Sequence, residues 1–136
     1  MNEENLNNSQ LTPEQIKQQQ LFERPDGYGA NTGDCGDTIE IFLAVRDNSI
    51  IDAAYATDGC MFTHLSGLAV TELVKTRSIE RAWKIKPEHV IAAIPDLPTD
   101  HYHCAELAAG ALYRALTDLR NHMQKPWAKL YRTHRS

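Results

Sequence analysis

The chain is short of the residues that would mark it as a secreted or membrane-spanning protein. No run comes near the roughly 18 apolar residues that a bilayer span needs. Met1-Asn2-Glu3-Glu4-Asn5 has neither a basic start nor an apolar core, so a secretory signal is not expected. There are three cysteines, an odd number, which argues against a disulfide framework and for a reducing cytoplasm. A net charge of −4, with no basic stripe through the body, argues against a nucleic-acid partner. No internal repeat is visible. An ordinary balance of apolar and charged residues in 136 positions fits one globular domain.

The regular elements can be read from spacing and punctuation. Residues 1–11, rich in Asn and Glu, read as a flexible N-terminal tail. Thr12-Pro13-Glu14-Gln15 is a helix start, with Thr12 as cap, Pro13 at the first helical position and Gln15 closing a capping box. That helix should run to Phe22. Arg24 to Gly36 is turn-rich and reads as a loop with room for a short irregular strand. Thr38 to Val45 and Ile50 to Thr57 alternate as strands about a tight turn, Arg46-Asp47-Asn48-Ser49, and so make a hairpin.

Helices follow. Met61 to Lys75 carries a stripe of Met61, Leu65, Leu68, Ala69 and Leu73. Ser78 caps a short helix to Ile85, and Pro87 opens another that ends before Pro95. The strongest stripe is Leu107, Ala108, Ala111, Leu112, Ala115, Leu116, Leu119 and Met123, on a helix from His103 to Met123. The expected fold class is α+β: a small antiparallel sheet, a hairpin with space for a third short strand, with helices packed on one face. The last helix is the natural cover for Ile39, Ile41 and Leu43. Residues 12–123 form the domain, and 124–136 a basic C-terminal extension. From Arg120 onwards there are five basic residues and no acidic one, a solvated tail or a docking surface for an acidic partner.

The chemistry lies in the cysteines. Cys35 is in Gly33-Asp34-Cys35-Gly36-Asp37, Cys60 in Asp58-Gly59-Cys60, and Cys104 follows His103. Cys60 precedes one helix and Cys104 begins another. Free N–H groups and partial positive charge at helix starts favour thiolate, so both thiols are expected to have lowered pKa values. The ends of a hairpin lie side by side, which brings Cys35 and Cys60 together, and Cys104 continues the apolar stripe towards the sheet. Three thiols with a harder fourth ligand can hold a soft metal or an iron–sulfur cluster. Asp37 and His103 are the candidates for that fourth position. His64, four residues after Cys60, is a weaker metal candidate, and His101 weaker still. The alternative is three unrelated free cysteines, each a small buried hydrophobe.

Cys35-Gly36-Asp37, Ile50-Ile51-Asp52-Ala53-Ala54-Tyr55-Ala56-Thr57-Asp58-Gly59-Cys60, Thr71-Glu72-Leu73-Val74-Lys75, Leu97-Pro98 and His103-Cys104-Ala105-Glu106-Leu107-Ala108 together resemble the NifU/IscU-type scaffolds of iron–sulfur cluster assembly. The resemblance spans residues 20–120. It implies a non-enzymatic scaffold that receives sulfur from a cysteine desulfurase, builds a labile [2Fe-2S] cluster and passes it to acceptor proteins. It implies Cys35, Cys60 and Cys104 as cluster ligands, Asp37 as the residue tied to lability, and His103 beside the third cysteine. Zn²⁺ suits the same donors in the isolated protein. Two other readings stay open: a zinc-binding structural or regulatory protein, and a persulfide-accepting sulfur-transfer protein with Cys104 as acceptor. The sequence leaves monomer and homodimer open.

Two stretches depart from the family pattern. Met61-Phe62-Thr63-His64-Leu65-Ser66-Gly67 stands where many members carry a small, serine-rich turn. Leu97-Pro98-Thr99-Asp100-His101 stands where many have Leu-Pro-Pro-Val-Lys, which argues against docking to a dedicated Hsp70-type chaperone.

Overall fold

The computed structural model describes residues 11–124; the expected N-terminal tail up to residue 10 and the basic extension from residue 125 lie outside the described residues. The elements in order are α1 (Pro13–Glu23), β1 (Gly27–Thr32), β2 (Thr38–Arg46), β3 (Ser49–Thr57), α2 (Met61–Val74), α3 (Ile79–Ala82), α4 (Pro87–Ala92), a 3₁₀ turn (Thr99–His101) and α5 (Tyr102–Gln124). The strands form one antiparallel sheet in the order β1-β2-β3.

The hairpin turn is as tight as its sequence implies. Arg46 pairs with Ser49, and the two residues between them, Asp47 and Asn48, both take positive φ, 53° and 65°. That conformation matches the twist of the strands, and Asp and Asn tolerate it. The α1 start is also as read: the Gln15 amide donates to Thr12 Oγ1 at 3.1 Å and the Thr12 amide to Gln15 Oε1 at 2.9 Å.

The core lies between the sheet and α5. Ile39, Ile41 and Leu43 of β2 are fully buried with Leu112, Leu116 and Leu119 of α5 and with Val70 and Val74 of α2. α1 packs on the opposite face, where Leu21 meets Phe42 and Ala54 in a second, smaller cluster. The sheet is therefore covered on both faces, α2 to α5 on one and α1 on the other.

Three local expectations change. The stretch read as a loop with room for a short irregular strand holds a regular third strand, β1, six residues paired throughout with β2. Its glycines mislead because they serve packing. A Cβ on Gly29 would sit 2.3 Å from the Ala115 amide nitrogen and 2.6 Å from the Ala111 carbonyl oxygen, so only glycine lets the strand lie this close to α5. The buried face of α2 is also rotated from the apolar stripe. Met61 and Leu68 are exposed, while Thr63, Ser66, Gly67, Val70 and Thr71 face inward. Small residues are needed there because the Tyr55 ring lies against Gly67. Finally, α3 ends at Ala82 rather than Ile85.

Candidate metal centre

The hairpin and two helix starts converge at one edge of the sheet. Antiparallel pairing sets Ile39 opposite Thr57, so the residues just before β2 and just after β3 are neighbours. The Thr38 amide fixes this by donating to Asp58 Oδ1 at 3.1 Å. Asp37 lies on one side of the junction and Gly59-Cys60 on the other. Gly59 is required there, because its Cβ would stand 2.8 Å from both Asp37 Oδ2 and Thr63 Cβ.

Cys60 is the N-cap of α2, and Thr63 lies one turn in. The Thr63 hydroxyl, fully buried, lies 3.0 Å from Asp37 Oδ2, 3.6 Å from Cys60 Sγ and 3.6 Å from Cys104 Sγ. A hydroxyl has one proton to give. With Asp37 ionised and either thiol deprotonated, two negative groups share one donor in a partly buried space. A cation bound among them removes that deficit.

The two thiols have opposite tendencies. The Thr63 hydroxyl, followed by the amides of Thr63 and Phe62, lowers the Cys60 pKa, as its position at a helix start predicts. Burial raises that of Cys104, against a smaller lowering by the Thr63 hydroxyl. The expectation of a lowered value there fails because Cys104 is the third residue of α5 and its side chain is 1% exposed. In this conformation it is also screened from an incoming sulfur donor, whereas Cys35 and Cys60 are exposed.

Cys60 and Cys104 are joined by a residue ranked low on sequence grounds, His101. Ligand atoms of Cys60, His101 and Cys104 lie within 4.8 Å of one another. In a tetrahedral zinc site with Zn–S bonds of about 2.3 Å, neighbouring sulfurs are about 3.8 Å apart. Closure therefore needs a movement of about an ångström or less. His101 ends the 3₁₀ turn before α5, its ring tilted 33° against that of Phe62 with centroids 4.2 Å apart. No periodic pattern marks such a turn. The signal available in the sequence was three histidine or cysteine residues within four positions, His101, His103 and Cys104.

The other candidates are nearby but less closely gathered. His103 is exposed, with Nε2 3.7 Å from Cys104 Sγ. Cys35 is at the tip of the β1–β2 turn, between Gly33 and Gly36, and lines an open cleft with His103 and Glu106. It is close enough for its charge to raise the Cys104 pKa, yet it is not in the mutually close group. His64 lies apart, its Nδ1 3.4 Å from the Tyr55 hydroxyl.

Residues 12–126 match the family model described as NifU-like N terminal domain. The chain belongs to this NifU-like family. It is 39% identical over 98 residues to iron-sulfur cluster assembly scaffold protein IscU 1 of Archaeoglobus fulgidus, covering 71% of this chain and 64% of that protein. It is 36% identical over 92 residues to the iron-sulfur cluster assembly enzyme IscU of Drosophila melanogaster, covering 67% of this chain and 59% of that one. The chain thus spans under two thirds of these relatives' length. The NifU-like fold recurs in solved structures at 16% identity: the N-terminal NifU-like protein of Brucella abortus, with TM-score 0.53 over 71% of this chain and 81% of that one, and the putative SUF-system scaffold of Fervidobacterium islandicum, with TM-score 0.54 over 69% and 82%.

Proposed function

We propose that this NifU-like chain is a scaffold on which a labile [2Fe-2S] cluster is assembled and from which it is passed to acceptor proteins, in a reducing cytoplasm. The cluster is cargo, with Cys35, Cys60 and Cys104 as its thiolate ligands and Asp37 or His103 in the remaining position. The observation that carries the reading is the single Thr63 hydroxyl shared by Asp37, Cys60 and Cys104. It marks a site with a surplus of anionic donors, one of them a carboxylate. A carboxylate is a weaker hold on a soft centre than a fourth thiolate, which suits cargo that must leave. The relatives named as scaffolds for iron-sulfur cluster assembly support the same reading.

Sulfur would come from a cysteine desulfurase as the outer atom of a persulfide. A thiolate of this chain attacks that sulfur, the donor's S–S bond breaks, and the donor cysteine leaves as thiolate. Reduction of the transferred sulfur to sulfide takes two electrons from an external reductant. The exposed Cys35 and Cys60 are accessible to such a donor; Cys104 would have to be uncovered first. The turn carrying Cys35 is held by Gly33 N–H to Asp37 O at 2.9 Å and Gly36 N–H to Gly33 O at 3.0 Å, and Gly36 has φ of +91°. Movement of this short exposed turn would bring Cys35 to the other two thiols.

The test is iron and acid-labile sulfide analysis, with a visible spectrum, on anaerobically purified protein reconstituted with iron and a desulfurase. Equal iron and sulfide, with charge-transfer bands lost in Cys35→Ser, Cys60→Ser and Cys104→Ser, is the expected result. Asp37→Ala should lengthen the cluster's half-life; an unchanged half-life would remove Asp37 from that role. Tightly held zinc without sulfide uptake would favour a structural or regulatory zinc protein.

A further inference from the structure

We propose that the cleft among α2, α3 and α4, at the end of α2 remote from the thiols, docks an acidic segment of a partner protein that carries an apolar side chain between its carboxylates. This surface is separate from the cysteines, so the proposal does not rest on the scaffold reading.

The cleft has a volume of about 430 Å³, in the range of ligand-sized sites. Its floor is apolar: Ile85 is buried in the core and Leu73 is half-buried against it. Arg77, Arg81, Lys84 and His89 stand around that floor, and no acidic residue lines the cleft with them. An adjoining cleft shares Arg77 and Arg81 and adds Lys75 and Glu72. Glu72 lies 3.2 Å from Lys75 Nζ, so its carboxylate is already partnered. The positive charge is local. Residues 75–86 hold Lys75, Arg77, Arg81, Lys84 and Lys86 against Glu80 alone, in a chain whose net charge is −4.

Part of this charge serves the fold. α2 ends at Val74, and Arg77 Nε donates to the Leu73 carbonyl, one of the acceptors a helix end leaves open. Arg81 and Lys84 have no such task. Both are exposed, and among the described residues neither takes part in an ion pair. His89 Nδ1 accepts the Lys86 N–H at 3.0 Å, so the neutral ring carries its proton on Nε2 and is a donor there. An apolar ligand would leave these cations unused, and an inorganic anion would leave the floor bare. An acidic segment with an apolar side chain satisfies both. At about 1.5 Å per residue, the fourteen residues of α2 put this end about 20 Å along the helix from Cys60. A partner held here leaves the cysteine end uncovered.

The test is fluorescence anisotropy of a labelled peptide, one leucine flanked on each side by two glutamates, with the full chain. The peptide should bind at low ionic strength and more weakly as salt is added. Amide chemical shifts should move around Leu73, Arg81, Lys84 and His89 and stay fixed at Cys35, Cys60 and Cys104. Arg81→Glu combined with Lys84→Glu should weaken binding about tenfold or more, because like charges then face each other. Lys17→Glu combined with Arg24→Glu makes the same charge change on exposed positions at α1 and should leave the affinity unchanged. Serine in place of the peptide's leucine should also cost about tenfold. The shift map needs no variant, so a folding defect cannot decide the outcome. Absence of binding, equal loss in the two double variants, equal binding of the serine peptide, tighter binding of tripolyphosphate in the same cleft, or shifts centred on the thiols would each overturn the proposal and leave the scaffold reading intact.

Discussion

Thr63 shows how one buried hydroxyl can define a site. Its proton can satisfy Asp37 or one thiolate, never all of them, so deprotonating a thiol beside an ionised Asp37 leaves the metal-free pocket with more acceptors than this hydroxyl can serve. Gly59 makes this crowding possible. A methyl group there would meet Asp37 Oδ2 and the rigid, β-branched Thr63 side chain at 2.8 Å, and Thr63 is fully buried and has nowhere to go. Gly59→Ala should therefore cost about 1–3 kcal/mol of stability and weaken zinc binding as well, because the strain is relieved by pushing Asp37 and Thr63 away from the thiols. Chelator competition and denaturant unfolding on one preparation check the two effects together. A stability loss with unchanged zinc affinity would mean that Asp37 and Thr63 do not shape the metal site.

Strand β1 is held by close approach rather than by side-chain bulk. Gly27 and Gly29 face α5, and the Tyr28 amide donates to Asp118 of that helix at 2.9 Å. Gly29→Ala drives a Cβ into the α5 backbone, which no rotamer change relieves, and should cost about 3 kcal/mol or more; a lower denaturant midpoint checks it. On the other side of the strand the Tyr28 hydroxyl donates to the Glu40 carboxylate of β2, and this bond, with burial and the carboxylate's charge, raises the phenol pKa from 10.0 to about 12. The folded state favours the neutral phenol, so its contribution is complete below the unfolded value near 10 and is lost as pH rises towards about 12. Tyr28→Phe should flatten the fall in stability over that window; equal slopes in both proteins would show that the bond adds nothing. This strand also marks where sequence reasoning stops. Period-2 alternation revealed β2 and β3, and the capping box revealed α1. Gly27-Tyr28-Gly29 reads as part of a turn-rich loop with room for only a short irregular strand, because the reason for its glycines lies almost ninety residues away. The same holds at the site. Motif and hairpin geometry single out Cys35, Asp37, Cys60, His103 and Cys104 as candidates, and of these the structure brings Cys60 and Cys104 closest. The role of Thr63, the burial of Cys104 and the proximity of His101 depend on where α2 and α5 pack.

Metal binding at the proposed site would be coupled to stability, because the candidate donors come from separate parts of the chain. Asp37 opens β2, Cys60 follows β3, and His101 and Cys104 arrive with α5, so the unfolded chain offers no assembled site. Metal at about a hundred times its dissociation constant then adds about 2.7 kcal/mol to the folded state, or roughly 10 °C in melting temperature for a domain of this size. The two cysteines should report this differently. Cys60 is exposed, so Cys60→Ser should keep the melting temperature of the metal-free protein and lose the zinc-dependent increment. Cys104 is buried beside Thr63 of α2, so Cys104→Ser should lose the increment and lower the metal-free value too, by exchanging a sulfur for a more strongly hydrated hydroxyl in a closed space. Thermal unfolding of the three proteins, each with zinc and with chelator, separates the contributions. An increment that persists in Cys60→Ser would show that the metal is held elsewhere and that the convergence of the hairpin with α5 is not what it stabilises.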